Sequence, residues 1–143
     1  LTSFFNWASA HGHSIYLPRV RVLSAGQSEL EVCGPFESIS EWVEPDFVRS
    51  PLGVWEPAPS LPAAPQSVFK NLDYVLVPGV AFTPQGHRIG LGKGFYDRYL
   101  TQCKKNIQTW GFSYFEPVDS IDDTHPFDIA LTHCITPYNI YEF

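Results

Sequence analysis

A chain of 143 residues with 44% hydrophobic and 15% aromatic content can bury one core but not two full-sized ones, so a single domain spanning 1–143 is expected. Its formal charge of −6 excludes a broad basic face, and with it a general nucleic-acid or anionic-membrane surface. Three widely spaced cysteines (Cys33, Cys103, Cys134) without a C-x-x-C pair exclude a disulfide framework and a zinc knuckle, and fit a reducing, cytoplasmic setting.

No apolar run approaches the roughly 18 residues of a membrane span, and no signal-peptide pattern opens the chain. The sequence has no Met and begins directly in what reads as the body of a helix, which is expected of an amino-terminally truncated piece. Thr2 or Ser3 caps that helix, whose apolar residues Phe4, Phe5, Trp7 and Ala8 precede a stop at Gly12. Residues 13–22 read as a strand, with Pro18 marking a strand end or an edge. Residues 29–33 alternate polar and apolar, as a half-buried hairpin partner does. Residues 34–70 hold seven prolines and little periodicity, and are expected to form a rigid, irregular excursion.

Residues 72–77 are apolar nearly throughout, the composition of a strand buried on both faces of a parallel sheet. A glycine-rich loop, Gly90-Leu91-Gly92-Lys93-Gly94, is expected to follow and to lead into a helix over 94–105. That helix carries Tyr96, Tyr99, Leu100 and Cys103 on one face. Further strands are expected over 107–114 and 127–132, and another beginning at Cys134-Ile135. Strand, helix and strand in that order predict an α/β fold with a mostly parallel central sheet flanked by helices.

Five of the nine Lys and Arg residues (Arg88, Lys93, Arg98, Lys104, Lys105) fall between positions 88 and 105, so any anion site is local. The loop is not a Walker A sequence, because Lys93 is followed by glycine, nor a dinucleotide fingerprint, because Phe95 stands at the third glycine position. Its three glycines let backbone N–H groups approach an anion, and Arg88 and Lys93 flank it. A glycine-rich turn with solvated basic residues is the alternative. Asp97 serves equally as a Mg²⁺ ligand beside such phosphates or as an acid that favours the helix dipole. Asp128 reads as an exposed carboxylate at the start of a strand. Glu56 is a loop acid by default, although its neighbour Trp55 could wall a flat heterocycle. His11, His13 and His125 have no ligand-like spacing.

Residues 77–82, Gly86-His87-Arg88-Ile89-Gly90 and Gly92-Lys93-Gly94-Phe95-Tyr96-Asp97-Arg98-Tyr99-Leu100 together resemble the signature of the 5-formyltetrahydrofolate cyclo-ligase family, also called methenyltetrahydrofolate synthetases. Weaker similarity runs from residues 16–20 through 53–57 to Asp128 and Thr136-Pro137. The resemblance implies a fold related to ribose-5-phosphate isomerases and CoA transferases. It also implies ATP- and Mg²⁺-dependent closure of 5-formyltetrahydrofolate to 5,10-methenyltetrahydrofolate, with release of ADP and phosphate.

By position, it implies that Arg88, Ile89, Gly90, Leu91, Gly92, Lys93, Gly94, Phe95 and Tyr96 bind ATP, with Arg88, Lys93 and Tyr96 catalytic. Leu91 to Phe95 and Glu56 would contact the folate, and Asp97 and Asp128 would hold Mg²⁺. The implied partners are ATP and a small-molecule folate, with no nucleic acid or membrane, in a monomer or weak homodimer. A non-catalytic nucleotide- or folate-binding relative is the second reading. Sugar-phosphate isomerase chemistry is a third that gains no motif.

Overall fold

Thr2–Ala10 forms a helix (α1), and the chain leaves it through Gly12, whose φ of +85° lies in the left-handed region that glycine enters without cost. The computed structural model describes residues 2–24, 26–38, 45–51, 53–90, 92–122 and 124–143. They fall into two compact units, Leu1–Pro65 and Gln66–Phe143.

In the first unit α1 is followed by an antiparallel ribbon of β1 (Ile15–Ser24) and β2 (Gln27–Phe36). Pro18 stands within β1 opposite Val32, which a two-stranded ribbon tolerates because each strand has an open edge. Arg19 faces Glu31 across the ribbon, and its Nε donates to the carboxylate at 2.6 Å. The same guanidinium donates to the carbonyls of Ala58 and Leu61, so a charge only 11% exposed is met by a carboxylate and two carbonyls.

The proline-rich stretch is more ordered than its composition predicts. It contains the antiparallel pair β3 (Phe47–Arg49) and β4 (Trp55–Pro57). Leu17 and Phe47 are buried, and Phe5, Ile15, Phe36 and Trp55 pack against them. The Trp55 ring packs against that core and carries the Arg49 guanidinium 4.9 Å from its centroid.

The second unit opens with α2 (Ser67–Asn71) and builds a four-stranded sheet from β5 (Tyr74–Val77), β8 (Gln108–Phe112), β9 (His133–Ile135) and β10 (Ile140–Glu142). Its order is β10-β9-β8-β5. The β5–β8 and β8–β9 pairings are parallel and β9–β10 is antiparallel, so the sheet is mixed rather than purely parallel. β5 alternates. Val75 and Val77 are buried, while Tyr74 and Leu76 are 54% and 38% exposed, which corrects the expectation of burial on both faces.

Between β5 and the glycine loop stands a small hairpin absent from the sequence reading, β6 (Ala81–Phe82) paired with β7 (Arg88–Ile89). The loop then leads into α3 (Phe95–Leu100), which is shorter than the predicted 94–105. Side chains after Leu100 take the carbonyls that a continuing helix needs. Thr101 Oγ1 donates to Arg98 O at 2.7 Å, and Gln102 Nε2 to the same oxygen at 3.3 Å. Lys104 instead pairs with Asp73 at 2.7 Å.

Residues 127–132 do not form the expected strand, because their backbone groups bond elsewhere. Ile129 N donates to the Asp97 carboxylate, Leu131 N to Gly86 O and Thr132 N to Thr109. No helix among the described residues is long and apolar enough to cross a membrane.

Candidate phosphate and metal site

Thr83-Pro84-Gln85-Gly86 turns the β6–β7 hairpin: Gly86 N donates to Thr83 O at 3.0 Å, and the Thr83 hydroxyl accepts Gln85 N at 3.3 Å. Gly86 has φ +80°, and a Cβ there would lie 2.7 Å from the Leu131 carbonyl. Backbone cannot yield to that contact. Gly86→Ala is therefore expected to cost about 2 kcal/mol or more and to lower Tm by roughly 5 °C or more in a thermal melt. An unchanged Tm would show that this turn is not held against the 129–132 segment.

The hairpin delivers Arg88 beside α3. Its Nη2 donates to Asp97 Oδ1 at 2.8 Å, and its Nη1 donates to the Ile129 carbonyl. Asp97 Oδ1 also accepts Ile129 N at 3.0 Å. Arg88 is 6% exposed and Asp97 21%, so this is a largely desolvated ion pair with further hydrogen bonds around it. It brings three parts of the sequence together: β7, the first turn of α3 and the residue after Asp128. Asp128 lies on a turn, not at a strand start, with Oδ2 accepting His125 N at 2.7 Å.

The loop between Arg88 and α3 is exposed. Gly92 and Gly94 take φ +78° and +60°, conformations that open the backbone there; Leu91 lies outside the described residues. Lys93 is exposed, and its carbonyl accepts Arg98 Nη1 at 2.8 Å, fixing the loop to α3 without using the ammonium. Phe95, Tyr96 and Asp97 are half-buried in the first turn of α3, while Ile89 and Gly90 are exposed before the loop. Glu56 belongs to the first unit, where its Oε2 accepts Val20 N at 3.3 Å.

At the carboxyl ends of β5 and β8, where α/β sheets receive ligands, a small cleft is lined by Val77, Ala81, Phe82, Arg88, Phe112 and Ser113. Its free volume is about 10 Å³, room for about one water and well short of the roughly 300–1,000 Å³ of a typical ligand pocket. The three cysteines are buried. Burial pushes the Cys134 thiol up to about 11 and raises Cys33 and Cys103 as well, which makes them poor nucleophiles.

A network that the sequence reading missed gathers around Glu116. The Tyr141 hydroxyl donates to Glu116 Oε2, Thr136 Oγ1 to Oε1 at 3.0 Å and Asn139 Nδ2 to Oε2 at 3.3 Å. The Tyr141 bond lowers the Glu116 carboxyl from its ordinary 4.5, and the Glu116 carboxylate raises the Tyr141 hydroxyl from 10.0. A lowered acid stabilises the fold above its unfolded pKa and loses that contribution as pH falls through the folded value. The raised tyrosine loses its contribution above about pH 10. Glu116→Gln is thus expected to flatten the decline of Tm below about pH 4.5. An unaltered acid limb in a pH series of thermal melts would show that this carboxylate contributes nothing.

Residues 4–121 match the model of the 5-formyltetrahydrofolate cyclo-ligase family. The chain belongs to that family. A 5-formyltetrahydrofolate cyclo-ligase from Mycolicibacterium smegmatis is 33% identical over 91 residues, 64% of this chain and 46% of that protein. Its counterpart from Escherichia coli is 29% identical over 140 residues, 92% and 68% of the respective chains. The NMR structure of Aquifex aeolicus 5,10-methenyltetrahydrofolate synthetase superposes with a TM-score of 0.67 at 24% identity, over 99% of this chain and 64% of that one. A Mycoplasma pneumoniae 5,10-methenyltetrahydrofolate synthetase gives a TM-score of 0.60 at 22% identity. The α/β fold with its mixed sheet is therefore one that these cyclo-ligases share, and this chain spans about half to two thirds of the length of several of these relatives.

Proposed function

We propose that this chain provides the phosphate and metal end of an ATP-dependent 5-formyltetrahydrofolate cyclo-ligase. The observation that carries the reading is the convergence of Arg88, Asp97 and the Asp128–Ile129 turn beside the open glycine loop, in a member of this family. Backbone N–H groups of residues 90–94 and the Lys93 ammonium would bind the triphosphate. Arg88 would fork onto it, with Ile89, Phe95 and Tyr96 bordering the same site.

Asp97 and Asp128 fit Mg²⁺. They are hard oxygen donors, the Ile129 N–H bond to Asp97 ties the residue after Asp128 to α3, and among the described residues no cluster of three or more metal-ligating side chains is present. Magnesium needs no more than one or two carboxylates when phosphate and water complete its shell. When bound, it would neutralise charge on the phosphate oxygens.

ATP would phosphorylate the formyl oxygen of 5-formyltetrahydrofolate, giving ADP. The N10 nitrogen would then attack the activated carbon, and expulsion of phosphate would leave the methenyl bridge. The chain's own contribution is to position the phosphates and disperse their charge, which accounts for nearly all catalysis in phosphoryl transfer. Residues 91–95 would contact the folate. A cytoplasmic monomer or weak homodimer, with the wider kinship to ribose-5-phosphate isomerases and CoA transferases, belongs to the same reading.

Mixing the protein with Mg-ATP and 5-formyltetrahydrofolate should generate the methenyl chromophore; its absence at high protein concentration would remove the catalytic claim. The span of the chain, 46% of the M. smegmatis protein, favours one second reading: a nucleotide- or folate-binding relative that does not turn over. Ligand-dependent thermal stabilisation without product is its signature.

A further inference from the structure

Two turns at the carboxyl end of the sheet give their polar groups to one another and leave their aromatic rings in solvent, the reverse of an ordinary loop. We propose that these rings, led by Tyr114, form a stacking subsite for the planar heteroaromatic ring of a bound ligand, either the purine of the nucleotide or the pterin of the folate. The inference rests on the cyclo-ligase reading, and it adds residues outside the glycine loop and the two carboxylates.

β8 and β9 run parallel, so the chain leaves both at the same end, the one at which α/β sheets receive ligands. After β8, Ser113 N donates to Ile135 O at 3.0 Å, and Ser113 Oγ donates to Phe115 O at 2.8 Å while accepting Phe115 N at 3.0 Å. Val118 N donates to Phe82 O at 2.9 Å, which ties the far side of this turn to β6. After β9, Thr136 N donates to Asn139 O at 2.9 Å and Thr136 Oγ1 accepts Asn139 N at 3.0 Å, closing a turn over Pro137 and Tyr138. Glu116 joins the two turns by accepting Thr136 Oγ1 and Asn139 Nδ2. The backbone of both is thus pinned. The rings that it carries are nevertheless almost wholly exposed: Tyr114 85%, Phe115 75% and Tyr138 80%.

Position and charge decide what such a surface takes. Ser113, where the first turn begins, lines the same small cleft as Arg88. A ligand whose reacting end lies at Arg88 and the glycine loop therefore carries the rest of its ring system past Ser113 toward Tyr114. Residues 106–143 contain no Lys or Arg, so this end of the site offers nothing to a second anion. Aromatic side chains on a fixed backbone suit a flat, uncharged ring, because offset stacking needs little further ordering of either partner.

Calorimetric titration of Mg-ATP, 5-formyltetrahydrofolate and Mg-tripolyphosphate, which has no ring, tests the proposal on the wild-type chain and two variants. Tyr114→Ala should weaken a ring-bearing ligand about 10-fold, the scale of one lost base–aromatic stack, and change Mg-tripolyphosphate by less than about 2-fold. Tyr114→Phe keeps the ring and should stay within about 3-fold of wild type. A loss confined to Mg-ATP assigns the purine, and one confined to 5-formyltetrahydrofolate assigns the pterin. An equal loss for Mg-tripolyphosphate, or none for either ring-bearing ligand, overturns the proposal. So does Tyr114→Phe behaving like Tyr114→Ala, because the hydroxyl rather than the ring is then responsible. A second readout needs no variant: the Tyr114 ring protons of the wild-type protein should shift upfield with the assigned ligand and stay in place with Mg-tripolyphosphate. Unmoved resonances at saturation contradict stacking. Failure of the wild-type chain to bind any of the three ligands removes the functional reading itself, whereas binding that is indifferent to Tyr114 removes only this inference.

Discussion

Lys93→Ala is expected to lower the rate of methenyl formation by roughly two to three orders of magnitude, in line with the loss of one donor to developing charge in acyl- and phosphoryl-transfer sites. Thermal stability should stay within about 1–2 °C of wild type, because an exposed substitution away from packed features costs within about 0.5 kcal/mol. The basis for the split is geometric. Lys93 is exposed, and what it gives the fold is its carbonyl, accepting Arg98 Nη1 at 2.8 Å, which alanine retains. The ammonium is thus available to the phosphates without a structural duty. Lys93→Arg should recover only part of the rate, since a planar fork does not reproduce a mobile point charge. A rate within threefold of wild type for the alanine variant would place the triphosphate away from this loop.

Arg88→Ala is expected to act on the fold first. Removing Arg88 strands a half-buried carboxylate that keeps only the Ile129 N–H, and costs about 1–3 kcal/mol, or roughly 2–12 °C in Tm for a chain of this size. Asp97 would lose its counter-ion, and the Ile129 carbonyl would lose its donor. Replacing both partners with apolar side chains, Arg88→Met with Asp97→Leu, should recover much of that loss while abolishing Mg-ATP binding, because no buried charge is then stranded. Urea unfolding of the single and double variants measures both. If the double variant is as unstable as Arg88→Ala alone, the penalty lies in packing rather than in the stranded carboxylate.

Part of this candidate site is legible in the residues. Gly90 to Gly94 with Arg88 and Lys93 suggests an anion loop, and the glycines at 92 and 94 take the left-handed backbone that other residues avoid. The Arg88–Asp97 pair is not legible, because nine residues separate the two and only the β6–β7 hairpin turns one toward the other. The T-P-Q-G turn that makes this hairpin is present in the sequence, but the strand expected over 72–77 is followed directly by the glycine loop, and Ala81-Phe82 is assigned to no element. Residues 127–132 have strand composition, and their backbone nevertheless bonds to Asp97, Gly86 and Thr109, tertiary partners that no local pattern announces.

The alternation of β5 is likewise decided by what covers the sheet. Its apolar residues suit two buried faces, and only Val75 and Val77 are buried. The Glu116 network escaped notice for the same reason as the ion pair: its members lie 20–25 residues apart and meet only because β10 pairs antiparallel to β9.

The most direct test is a crystal structure of the chain with Mn²⁺ and a non-hydrolysable ATP analogue, with the metal located by anomalous scattering. The account predicts the manganese peak within about 2.3 Å of a carboxylate oxygen of Asp97 or Asp128. It also predicts β- and γ-phosphates against the backbone of residues 92–94, with the Arg88 guanidinium turned from Asp97 to the phosphates. A nucleotide bound elsewhere, with the Arg88–Asp97 pair intact and no metal at either carboxylate, would contradict it.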